Sequence, residues 1–109
     1  MKTVEWRVQA RRDVAETASW YVEHGGLALG ERFLSQVEAT LEHLSCFSAT
    51  GSARHDGIVP GLPAPLRFFP VTQFDQYLIY YLELPEYADV IRIWHAARGL
   101  DALDSREKI

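Results

Sequence analysis

The sequence is short of most features that would identify a 109-residue chain at a glance. Cys46 is its one cysteine, so no internal disulfide can form and a reducing setting, the cytoplasm, is expected. Lysine occurs only at Lys2 and Lys108. Eleven Lys and Arg face fifteen Asp and Glu, a formal net charge of −4. Phosphate contacts supply most of the affinity of nucleic-acid binders, so this balance argues against the chain holding DNA or RNA by itself. No apolar run approaches the roughly 18 residues that span a bilayer. Met1-Lys2-Thr3-Val4-Glu5 opens no apolar signal region, and no membrane association is expected. His24, His43, His55 and His95 are scattered, without the paired spacing of zinc sites, and no phosphate-cradling glycine loop is present. Neither a metal nor a cofactor is expected. With 48% hydrophobic and 24% charged residues, residues 1–109 read as one globular domain with its own core.

What is there is patterned. Val4, Trp6 and Val8 alternate with Thr3, Glu5 and Arg7, the period of a half-buried strand. Val14, Ala18, Tyr21 and Val22 then fall on one helical face, with Asp13 and Glu16 placed near the helix start. Gly25-Gly26 ends that helix, and Leu29, Phe33, Val37, Leu41 and Leu44, widened by Leu34, mark a second. Together they form an antiparallel hairpin that must lay its apolar side on something. Trp20 lies off the apolar face of the first helix, where its indole packs on a neighbouring element or meets a partner. Cys46 reads as a small core residue near the end of the second helix.

From Cys46 to Pro65 periodicity is lost, apart from a short strand or turn near Gly57-Ile58-Val59. Leu66 to Phe69 reads as a strand that Pro70 moves to an edge or a bulge. Thr72 to Gln76 makes a turn, Tyr77 to Leu82 is a strand apolar on both faces, and Val90 to His95 is the last strand. Leu100 to Leu103 reads as one helical turn, followed by a fraying polar tail. The expected fold is α+β: an antiparallel sheet, made of an N-terminal strand and a C-terminal three-strand meander, packed on a helical hairpin. One hairpin covers one sheet face, so the other is covered either by the long Cys46–Pro65 segment or by a partner. His95 with Arg98 is the one pair that suggests acid–base chemistry on a phosphodiester. Its plainer reading is a ring capping backbone at a strand end, with Arg98 paired to Asp101.

Leu66-Arg67, then Tyr77-Leu78-Ile79-Tyr80-Tyr81, then Val90 through His95-Ala96-Ala97-Arg98 closely resemble the ParE branch of the RelE/ParE toxin superfamily. The N-terminal strand, Asp13-Val14, Trp20-Tyr21 and Phe33 fit as well, so the resemblance spans almost the whole chain. Gly99 stands where family members often carry aspartate, and the mid-loop glycine appears only as Gly51 before Arg54. The resemblance implies a toxin of a bacterial type II toxin–antitoxin module, of the kind that stabilises plasmids. It would be neutralised in a hetero-oligomer by a ParD-like antitoxin with a ribbon-helix-helix domain. The antitoxin would add a helix along a groove and an extended strand at an edge. The implied target is DNA gyrase, blocked by binding rather than by catalysis, with growth arrest as the outcome. The alternative is a RelE-like ribosome-dependent mRNA endoribonuclease, for which the lysine poverty is unfavourable. Arg67, His95 and Arg98, polar groups at strand ends, are the candidate target-binding residues. Trp20, Tyr81 and Trp94 are the candidate antitoxin-binding residues.

Overall fold

A computed structural model describes residues 2–100 and 103. The chain runs β1 (Thr3–Trp6), α1 (Val8–Gly25), α2 (Leu27–Cys46), a 3-10 turn (Ser48–Thr50), β2 (Leu66–Val71), β3 (Phe74–Glu83) and β4 (Tyr87–His95). The strands form one sheet in the order β1-β4-β3-β2, so the fold is α+β as expected. The meander is antiparallel, but β1 runs parallel to β4, pairing from Thr3↔Tyr87 to Trp6↔Val90. Hairpin turns force antiparallel pairing, and β1, which leaves through two helices, is free of that constraint.

Local chemistry explains the boundaries. Gly26 alone separates the helices, with a φ of 92° that a side chain would resist. β2 is an edge strand, and its register to β3 shifts between Pro70 and Val71, where proline withholds a ladder donor. The β2–β3 turn is tighter than Thr72–Gln76: Val71 pairs with Phe74, and Gln73 takes a φ of 68° between them. Val8 belongs to α1 rather than to the strand, so α1 begins before Asp13 and Asp13 is no first-turn residue. The Leu103 N–H bonds the Leu100 carbonyl at 3.0 Å, one turn as expected; residues 101 and 102, and the polar tail at 104–109, lie outside the described residues.

Two apolar layers sandwich the sheet. On one face Ile79, Tyr81, Val90 and Ile93 meet Val14, Ala18 and Tyr21 of α1 and Phe33, Val37 and Leu41 of α2. Leu66, Tyr80, Leu82, Ile91 and Trp94 occupy the opposite face, beneath Val59 and Leu103, with Leu62 and Ala64 packed alongside. The covering of the second face is therefore the chain's own loop. Polar anchors hold it down. Ser52 and Phe68 exchange backbone hydrogen bonds of 2.9 Å, and the Leu66 N–H donates to Asp56 Oδ1 at 3.0 Å. His55 stacks on Phe68 with ring centroids 4.6 Å apart, and its Nδ1 lies 2.8 Å from the Tyr80 hydroxyl. Among the described residues the loop buries Leu66, Tyr80, Leu82, Ile91 and Trp94 on this face and leaves Phe68 and Leu78 partly covered.

An ion pair closes the sheet where β1 ends. Asp13 and Arg92 are both buried, joined at 2.8 and 3.0 Å through Nε and Nη2. The Asp13 carboxylate also accepts the Ile93 N–H at 3.0 Å, doing for β4 what a further strand residue would have done.

Candidate functional site

The three polar candidates do not converge. Arg67, early in β2, donates to the Gly51 carbonyl at 2.9 Å and to that of Ala49 at 3.4 Å, and its Nε lies 3.8 Å from Glu83. His95, at the end of β4, accepts the Ala97 N–H on Nδ1 at 3.0 Å, and the Tyr77 ring meets it edge-on at 4.9 Å. Its ring thus caps backbone at the strand end. Arg98 lies 3.9 Å over the Trp94 ring, whereas the Asp101 expected to pair with it lies outside the described residues. Across the sheet, Arg67 aligns through Tyr81 with Val90, five residues from His95. Two strand spacings and five residue rises separate their backbones by roughly 19 Å. His95 and Arg98 are neighbours; Arg67 is at the other end.

Of the candidate antitoxin contacts, only Trp20 is on the surface, 51% exposed. It stacks on His24 at 4.2 Å, and His24 Nδ1 donates to the Trp20 carbonyl at 2.8 Å. Tyr81 and Trp94 are instead fully buried in the chain's own layers. The Tyr81 hydroxyl donates to the Ser48 carbonyl at 2.6 Å and accepts the Gly51 N–H at 3.0 Å, and burial pushes its pKa up. A Cβ on Gly51 would sit 2.3 Å from that hydroxyl, which is why a glycine stands there. Beside them Glu83 accepts the Ser48 hydroxyl at 2.6 Å and the Lys2 ammonium at 3.4 Å. The bond from Ser48 lowers the Glu83 pKa more than burial raises it, and Lys2 and Arg67 add to the lowering. This network fastens the 3-10 turn to the sheet. The guanidinium groups of Arg92 and Arg98 lie 4.6 and 3.9 Å from the centroid of the Trp94 ring. Cys46 is exposed rather than core, on the last turn of α2 and outside its apolar stripe.

A surface that the residue pattern did not single out lies on the outside of the helical hairpin. Gly30 lets the helices approach so closely that a Cβ there would meet Val22 Cγ2 at 2.4 Å and the Ala18 carbonyl at 3.0 Å. Above this contact a cleft of about 400 Å³ runs between the helices, lined by Ala15, Ser19 and Val22 of α1 and Leu27, Glu31 and Leu34 of α2. Leu27 is 66% exposed, and Val8, Val22 and Leu34 are exposed as well. Ala15 and Ser19 also border a second hollow with Glu16, Trp20 and Glu23, so Trp20 stands on the flank of the same surface. Val22 read as part of the apolar face of α1 and Leu34 as widening that of α2, yet both are exposed. What the pattern could not give is the side of the close helix crossing on which they emerge. Such a trough accepts an apolar helix face better than a small polar substrate. Among the described residues no cluster of His, Cys, Asp and Glu could hold a metal ion, and no helix is long and apolar enough to cross a membrane.

Comparison with known proteins agrees with this architecture. A chain of the chromosomal ParDE toxin–antitoxin system from P. aeruginosa shares the fold with a TM-score of 0.70 at 17% identity, over 87% of this chain and 96% of that one. No curated protein matches the chain. The family model of the ParE toxin of the type II toxin–antitoxin system parDE matches residues 4–100. The chain belongs to that ParE toxin family.

Proposed function

We propose that the chain is held inactive in the cytoplasm by a ParD-like antitoxin, and that free of it the chain inhibits DNA gyrase and so stops replication. The observation that carries the first half is the apolar trough on the helical hairpin. Leu27 and Leu34 lie exposed along it, and an amphipathic helix of the antitoxin would cover them. Trp20 would border that helix. Tyr81 and Trp94 act from within, by holding the sheet and its loop in shape.

For the second half, Arg67 is spent on backbone carbonyls and His95 on a backbone amide. That distribution suits inhibition by binding better than phosphodiester cleavage, which needs a proton-transfer group and cations gathered on one phosphate. His95 and Arg98, adjacent at one sheet end, are the groups offered to the target.

Expression without the antitoxin is expected to arrest growth and produce filaments, and the purified chain to abolish supercoiling by purified gyrase. Cleavage of ribosome-bound mRNA with gyrase unaffected would replace this reading with that of a ribonuclease. Antitoxin capture unchanged by a charge placed at Leu34 would remove the trough from it.

A further inference from the structure

The trough has acidic borders on both sides. Glu31 lines it on α2, and Glu38, seven residues on, continues the same helix face. On the crest of α1, Glu16 and Glu23 are again seven residues apart and share a hollow with Trp20. All four carboxylates are exposed. Among the described residues that line the trough, the cation is Arg11, at its α1 N-terminal end.

We infer that the segment seated in this trough, taking the docking reading above, is an amphipathic helix whose apolar stripe is bordered on both sides by Lys or Arg. Such a helix puts its apolar residues on Val22, Leu27 and Leu34, and its flanking cations reach the two carboxylate rows. A carboxylate near one end of the segment faces Arg11 and sets its direction. A second copy of this chain is a poor occupant, because it would bring the same carboxylate rows against each other. An acidic or uncharged helix would fill the apolar floor but leave the borders repelling or unanswered. Specificity among similar partners therefore resides in Glu16, Glu23, Glu31 and Glu38, and affinity in the apolar floor.

Two stapled helical peptides test this, each matching the 18 residues of α1 in length. They carry the same leucine and alanine stripe, one with Lys and the other with Glu at the flanking positions. Binding to the full chain is read by calorimetry at low and high salt, with the summed fluorescence of Trp6, Trp20 and Trp94 as a second readout. The Lys-flanked peptide is expected to bind about tenfold more tightly, as a sum of several exposed ion pairs, with the gap narrowing in high salt. In the variant Glu16→Lys, Glu23→Lys, Glu31→Lys, Glu38→Lys the preference reverses. Equal binding of both peptides to the parent chain overturns the charge assignment and leaves the trough as a helix site. Failure of both to bind overturns the assignment together with the docking reading beneath it.

Discussion

Replacing Asp13 by alanine removes three hydrogen bonds at once: two from Arg92, at 2.8 and 3.0 Å, and one from the Ile93 amide at 3.0 Å. Arg92 has few alternatives. Its side chain is only 9% exposed, and among the described residues it otherwise meets the Leu103 carbonyl at 3.5 Å and the Trp94 ring. Removing one partner of a buried ion pair costs about 3–5 kcal/mol, because the other charge stays buried without compensation. Domains of this size have total stabilities of about 5–15 kcal/mol, so the loss is a large share. At about 4–8 °C of melting temperature per kcal/mol, Asp13→Ala is expected to melt some 12 °C or more below the parent. Urea unfolding followed by circular dichroism gives the free energy directly. Asp13→Leu with Arg92→Met, which replaces the pair by apolar groups, should recover only the part of the loss due to the unpaired Arg92 charge, because the Ile93 amide still lacks its acceptor. A cost for Asp13→Ala under about 1 kcal/mol, or an equal cost in the Arg92→Met background, would refute the role given to this pair.

Tyr81→Phe leaves the Ser48 carbonyl and the Gly51 amide without their buried partner, and should destabilise by about 1–3 kcal/mol in the same urea assay. Glu83→Gln tests the charge of the neighbouring network. The folded-state pKa of Glu83 lies below its ordinary 4.5, so its stabilisation is present above that pH and is lost as pH falls through the folded value. The variant should therefore be less stable than the parent at neutral pH, and the two should converge in acid, as read from melting temperatures across the pH range.

Where a residue's local chemistry decides the backbone, sequence and structure agree. Pro70 lies on an edge strand at a register shift, and Gly26 makes the one-residue link between the helices. The strand Tyr77–Leu82 is apolar on both faces because two layers cover it, Ile79 and Tyr81 beneath the helices and Leu78, Tyr80 and Leu82 beneath the loop. Long-range pairing was not legible. Asp13 resembles a helix-start acid until its partner 79 residues away is known. Tyr81 and Trp94, large aromatics in apolar strands, look the same whether the loop at 51–65 lies over the sheet or apart from it. Of the candidate site residues, Trp20 could be placed because helical periodicity alone puts it off the core face. The trough depends on the crossing of two helices at Gly30, which no single-helix pattern encodes.

The most direct measurement is rescue of growth by the antitoxin when the trough carries charge. Leu27→Glu with Leu34→Glu changes two exposed side chains and leaves both apolar layers intact. If an antitoxin helix seats there, cells making this variant stop growing even when the antitoxin is co-expressed at a level that protects them from the parent chain. Full protection of those cells, with the variant folded and toxic on its own, would contradict the trough as the place where the toxin is held.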